Sequence, residues 1–467
     1  MKVRIQVIIE DDDGQVLDTH DVFAFQRKHL QPEQVGLTLA EAKGTLHGIQ
    51  ETVVHHQVDD FLKEQRSCPA CGQPRRRKGK HTLAYRTLFG SFRLPSPRFS
   101  QCRCQPHGPC RFSPLAQLLA ERTAPELLYL ETKWAALIPY RATSELLTDV
   151  LPIDHAVSTA VLRGNVHKIA QRREGALGEE RFLFITPEEN EDPSLPDPAP
   201  PLTVGLDGGS VHSCEQPNRQ EGWFEVIVGK SITAEGDAKC VAFVHKHESK
   251  PKRRLFELLK SQGVHANQPV TFLSDGGETV RNLQLYLNPL AEHLLDWFHI
   301  SMKLTVMGQL NKGMQKMEAR DLVNNVEKQL DSLKHHLWNG NITQALRLID
   351  SLQLILRDDT MSVERKKLLK AVREFGGYIA TNQQFIPDYG DRYRNDETIT
   401  TSFVESAVNQ VVSQRFVKSQ QMRWSQRGAH LLLQVRTQVL NKELRSRFQQ
   451  WYPGMADEPE PEMQLAA

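Results

Sequence analysis

Two stretches of this chain repeat one pattern, Leu202-Thr-Val-Gly-Leu-Asp207-Gly-Gly-Ser and Val270-Thr-Phe-Leu-Ser-Asp275-Gly-Gly-Glu. Each is an apolar run of strand length that ends in Asp-Gly-Gly. A strand-terminal carboxylate stands at a sheet edge, and the glycines after it lack the side chains that would hold a metal ion or a phosphate backbone away. Asp-Gly also makes ordinary hairpin turns. That alternative weakens at Asp275, because Thr279, Val280, Leu283 and Leu287 continue with helical spacing.

The 467 residues correspond to about three domains, and 39% hydrophobic content suffices for ordinary cores. No stretch approaches ~20 consecutive apolar residues, and the start Met1-Lys2-Val3-Arg4 carries no apolar leader. A cytoplasmic protein without a membrane partner is expected. Formal net charge is only +1, yet positions 66–120 hold eleven Lys/Arg and no Asp or Glu. Such a one-signed segment is a footprint for phosphates, with Arg75, Arg76, Arg77 and Lys78 at its centre. Acid concentrates in a Pro-rich stretch, 187–201, and in the tail from Pro453, which read as a linker and a disordered end.

Five of the seven cysteines lie between positions 68 and 110, and in a cytosolic protein such clustering favours metal over disulfides. Cys68-Pro-Ala-Cys71-Gly is one half of a zinc knuckle. The other half must come from Cys102, Cys104, His107 and Cys110. Cys102 and Cys104 fit best, because residues 98–103 read as a strand entering a second knuckle; Cys110 or His107 are alternatives. Cys214 and Cys240 fall in strand regions and read as buried packing residues.

Alternation at Val3, Ile5, Val7 and Ile9, followed by Asp11-Asp-Asp-Gly14, predicts a hairpin. Thr38 and Glu41 make a capping box for a helix with Leu39, Leu46, Ile49, Val53, Val54, Val58, Phe61 and Leu62 as its buried stripe. Residues 113–173 read as short helices broken near Pro139 and Pro152. The last carries Arg163, His167, Lys168, Arg172 and Arg173, which suits the recognition helix of a helix-turn-helix. A plain bundle with a solvated basic face fits as well, and the neighbouring basic segment favours DNA. Strands and helices then alternate up to about residue 300, and amphipathic helices follow to about 394.

A third acid, Glu405, lies in Thr400-Thr-Ser-Phe-Val-Glu405-Ser-Ala-Val, beside a stripe of Val404, Val408, Val411 and Val412. Ser402 and Glu405 also have capping-box spacing, which would leave Glu405 no chemistry to do. Leu294-Leu-Asp296-Trp297-Phe-His299-Ile adds an Asp-x-x-His motif after the last strand. In order and type, these residues resemble the DDE transposases of bacterial insertion sequences, and Phe403, Arg415 and Met422-Arg-Trp424 are similar to the C-terminal signature of the ISKra-type group. The resemblance spans nearly the whole chain.

The resemblance implies a multidomain α/β protein. Its ribonuclease H-like mixed sheet with helices would be interrupted by an all-α insertion and preceded by a zinc-binding module and a helix-turn-helix. The expected parts are a hairpin and helix (1–65), a basic zinc module (66–112), a helix-turn-helix (113–180), a linker (181–201), the catalytic domain (202–300 and 396–452) around the insertion (301–395), and the tail (453–467). Asp207, Asp275 and Glu405 would hold two Mg²⁺ or Mn²⁺ ions, and one structural Zn²⁺ would sit on the cysteines. Two ions ~3.5–4 Å apart stabilise the attacking and leaving oxygens of an in-line phosphoryl displacement. Without metal the carboxylates repel, so a loose site with at least one raised pKa is expected. Asp296, Trp297 and His299 stand second: Trp297 could stack on a displaced base or be core, and His299 could orient a phosphate or support Asp296.

The implied activity is binding of terminal inverted repeats, with Arg163, Lys168 and Arg172 contributing, followed by strand cleavage and transfer into target DNA by a homodimer or larger oligomer. Two alternatives keep the same residues: a silent, transposase-derived regulator, or a nuclease that cuts without joining.

Overall fold

The computed structural model describes residues 1–104, 111–153, 156–215, 222–315, 318–358, 362–417 and 423–455. The chain forms two compact units, Met1–Ile169 together with the chain from Glu443, and Ala170–Lys442.

In the first unit β1 (Lys2–Glu10) pairs antiparallel with β2 (Val16–Gln26). Asp11 Oδ1 accepts the N–H groups of Asp13 and Gln15, and Gly14 supplies the positive φ of the turn. Helix α1 (Leu39–Glu64) starts at Thr38 with the expected capping box, and Arg27 locks Glu41 in place. The expected stripe needs correction. Val54, Val58 and Leu62 are buried, whereas Leu39, Leu46 and Val53 are exposed. The helix serves two neighbours in succession, so its buried face turns along its length. Its first half rests on β2 through glycines, since a Cβ at Gly48 would come within 2.7 Å of the Val22 carbonyl oxygen. Its second half packs on Leu83, Phe92, Leu94 and Leu115. Those residues belong to an antiparallel sheet of β3 (Arg77–Thr87), β4 (Gly90–Ser100) and β5 (Arg111–Phe112), and to α2 (Pro114–Leu118).

Helices α3 (Pro125–Leu137), α4 (Tyr140–Val150) and α5 (Thr159–Ala176) follow, with Pro139 as the N-cap of α4. Fully buried Glu131 on α3 receives Arg86 from β3 and Asn165 from α5, tying sheet and helices together.

In the second unit the Pro-rich segment is not a free linker. It opens with α6 (Pro187–Asn190), capped by Thr186 and Glu189, and it is held by hydrogen bonds from Asn190 to Ala266 O, Asn267 to Pro196 O and Gln268 to Pro200 O. Five strands then build one mixed sheet: β6 (Leu202–His212), β7 (Trp223–Ile232), β8 (Ala238–Val244), β9 (Val270–Ser274) and β10 (Glu292–Leu295), in the order β10-β9-β6-β7-β8. The β6/β7 and β7/β8 pairs are antiparallel; β6/β9 and β9/β10 are parallel. Helices α7 (Pro251–Ser261) and α8 (Glu278–Leu287) bury Leu255, Leu258, Leu259, Val280, Leu283 and Leu287 against Leu202, Val204 and Leu206.

Between β10 and the next helix of the sheet stand α9 (Trp297–Met314), α10 (Arg320–Trp338), α11 (Ile342–Leu356), α12 (Val363–Asn382) and α13 (Tyr389–Arg394), which share a core of their own. The chain returns to the sheet as α14 (Ser402–Val408), continues as a π-helix to Val417, and ends the unit with α15 (Gln426–Leu440). Helix α16 (Leu444–Trp451) belongs to the first unit, where Arg445 pairs with Glu126 of α3. Among the described residues no helix is long and apolar enough to cross a membrane. Most of the tail lies outside them.

Candidate functional site

The position of Asp207 differs from the sequence expectation. β6 does not end there: it runs on to His212, and Gly208 and Gly209 pair in register with Ile227 and Val226. Side chains alternate across a strand, so Gly205, Asp207 and Gly209 share the face opposite Leu206. That face meets α14. A Cβ on Gly205 would collide with Val404 and Phe403, and one on Gly209 would stand 3.3 Å from Val408. The glycines flanking Asp207 on that face therefore let a helix lie close on the strand, which brings Glu405, next to Val404, near enough for its charge to act on Asp207.

Asp275 sits where expected, one residue beyond the end of β9. Leu206 is in parallel register with Ser274, so Asp207 and Asp275 occupy equivalent positions on adjacent strands. Asp275 Oδ1 accepts the Gly277 N–H at 2.9 Å, and Gly276 adopts φ 75 in a space where a Cβ would strike Leu295 and Asn382.

Glu405 is not a capping residue. The N-cap of α14 is Thr401, and no side-chain cap bond is made there. Burial pushes the Asp207 carboxyl above the ordinary carboxylate range; the nearby charges of Asp275 and Glu405 add to this, against the Gly208 N–H and His299. Asp207 thus lies within electrostatic reach of both other acids. They are nevertheless not among the described groups whose ligand atoms all lie within 4.8 Å, so the acids stand apart, as unneutralised carboxylates do. Their oxygen donors suit a hard cation such as Mg²⁺.

Asp296 is fully buried. It caps α9 through the Phe298 N–H and accepts His299 Nδ1–H at 2.8 Å, and it also accepts the Thr401 N–H at 3.1 Å and the Thr401 hydroxyl. One carboxylate thus joins the point where the chain leaves the sheet to the point where it returns, seconded by Trp297 N–H to Ile399 O. The bond to Asp296 raises the His299 pKa, and the charges of Asp275 and Asp207 raise it further. Trp297 is core: it packs edge-on against Trp338 and beside Tyr389, which leaves it no face for a base. Trp424 bridges to Ser213 at the end of β6 under the Arg415 guanidinium.

Sequence reasoning missed Tyr378 of α12, whose hydroxyl donates to the Asp275 carbonyl, and Thr401. Nothing local marks these residues, because each acts across the fold.

In the first unit Cys68, Cys71, Cys102 and Cys104 converge, with sulfur separations of 3.4–3.5 Å among them, and all four are free thiols. This donor set could hold tetrahedral zinc. Backbone N–H groups of Ala70 and Cys71 point at the Cys68 sulfur and hold its pKa down to about 6. Cys110 and His107 lie outside the described residues. Cys240 is buried as expected, but Cys214, just past β6, is exposed.

The basic residues divide. Arg76, Arg77 and Lys78 are exposed, whereas Arg75 donates to Gln65 O and covers the Phe112 ring. On α5 Arg163 is exposed, Lys168 is paired with Glu121 at 3.0 Å, and Arg172 is half-buried.

Glu174, Glu248 and His430 also bring ligand atoms together and could hold an ion, but buried Arg254 already bonds both carboxylates.

Compared with family models and with curated proteins, the chain matches none.

Proposed function

We propose that the second unit is a ribonuclease H-like polynucleotidyl transferase interrupted by an all-α insertion, α9 to α13, and that the whole chain is a DDE transposase of the ISKra type. One observation carries the reading: Asp207 on β6 and Asp275 just past β9 occupy equivalent positions on adjacent strands, and Glu405 returns within electrostatic reach of Asp207 on a helix it does not cap. A structural role would not require three acids from distant parts of the chain to share one sheet face.

In this reading Asp207, Asp275 and Glu405 hold Mg²⁺, which offsets charge developing on the attacking and leaving oxygens of a phosphodiester. His299, oriented by Asp296 and more readily protonated for it, faces a scissile phosphate from the side of the two aspartates. Asp296 keeps Glu405 in register by holding Thr401. Tyr378 fixes the backbone at Asp275. Arg76, Arg77 and Lys78 bind DNA backbone beside a zinc on the four cysteines, and α3 to α5 contact the terminal repeat. A silent regulator would retain the binding without the cutting, and a nuclease would cut without joining.

The test uses a labelled duplex carrying the DNA that flanks the protein's own reading frame, incubated with the protein and Mg²⁺. Products longer than the substrate mean strand transfer. Shortened products alone mean a nuclease, and retarded but intact duplex means a binder.

A further inference from the structure

We infer that Asp18, His20 and His56 form a second zinc site, which fastens the N-terminal hairpin to helix α1. Asp18 and His20 are two residues apart on β2 and so share one face. His56 comes from α1, brought close because Gly44 and Gly48, about three and two turns before it on the same helix face, let that helix press onto Phe23 and Val22.

Three ligand atoms meet there. His20 Nε2 lies 3.2 Å from His56 Nε2, Asp18 Oδ2 lies 2.9 Å from His20 Nε2, and Asp18 Oδ2 lies 3.6 Å from His56 Nε2. Tetrahedral zinc with bonds of about 2.0–2.2 Å spaces its ligands about 3.3–3.5 Å apart, within the span of these separations. An ion about 2.1 Å from all three atoms would sit about 1 Å out of their plane, leaving a fourth position for water. Two imidazoles and a carboxylate are borderline donors that suit zinc rather than Mg²⁺ or Ca²⁺. All three side chains are partly exposed, so an ion can reach them. The alternative is one imidazole donating a hydrogen bond to the other beside an ion pair, and such an arrangement binds no metal.

Zinc content separates the two. Full-length protein stripped of metal, equilibrated at micromolar free Zn²⁺ and exchanged into metal-free buffer should hold about two zinc per chain, one on the cysteines and one here. His20→Ala with His56→Ala should hold about one and show a smaller zinc-dependent rise in melting temperature, the part due to the cysteine site remaining. Its Co²⁺ derivative should keep the thiolate charge-transfer bands of the cysteine site. Asp18→Asn, a milder change, should weaken the second equivalent at least tenfold. Wild type and the double variant binding the same number of zinc ions, with unchanged circular dichroism, would overturn the assignment.

Discussion

Asp296 and Thr401 are both fully buried, and the hydroxyl of Thr401 is spent on Asp296 rather than on capping its own helix. Thr401→Val keeps the volume and removes that donor. Leaving a buried carboxylate short of a partner should cost about 1–3 kcal/mol of stability. Because the Glu405 helix begins at this bond, strand cleavage should also fall roughly ten- to hundredfold with DNA affinity unchanged. Loss of affinity in proportion would mean a folding defect instead. A second knot joins Glu174 to His430 and Arg254. Glu174 is partly buried, which alone would raise its pKa, but His430 and Arg254 hold it at about 2 against an ordinary value of 4.5. A carboxyl lowered on folding contributes stability that is complete above pH 4.5 and lost as pH falls through about 2. Urea midpoints at pH 7 and pH 3 should therefore differ less in Glu174→Gln than in the wild type. Equal differences would show that the knot is not what titrates.

At the scale of elements, β6 and α14 depend on Gly205, where a Cβ would meet Val404 and Phe403. Gly205→Ala should lift the Glu405 helix, lower stability by about 1–3 kcal/mol and abolish cleavage, while Gly308→Ala, in open space on α9, should do none of these. Wild-type cleavage by Gly205→Ala would show that close packing there is dispensable. Features set by neighbouring residues were legible in the sequence: the Thr38–Glu41 box, the breaks near Pro139 and Pro152, the end of β9 before Asp275, and the Cys68–Cys71 knuckle. Features set by distant partners were not. β6 runs past Asp207 because β7 continues beside Gly208 and Gly209, and nothing near Asp207 announces that. Tyr378 reaches Asp275 across 103 residues, and the cluster of Asp18 with the two histidines His20 and His56 is likewise formed only in the fold. The buried stripe of α1 departs from simple helical periodicity because one helix faces two partners in turn.

At the scale of the molecule, the formal charge of +1 conceals an acid-free segment whose Arg76, Arg77 and Lys78 are exposed. Contacts to phosphate release counterions whatever the base sequence, so replacing these three by Ser should weaken specific and random duplexes alike and lower the salt slope by about 2–3. A loss confined to one sequence would show base reading instead. The central claim is that three acids far apart in the chain make one metal-dependent cutting site. It is tested most directly by Glu405→Gln in the duplex assay, because glutamine keeps the size of the side chain and removes only its charge. No strand cleavage in Mg²⁺ or Mn²⁺, with terminal-repeat binding and melting temperature as in the wild type, is the result expected; cleavage retained near the wild-type rate would contradict it.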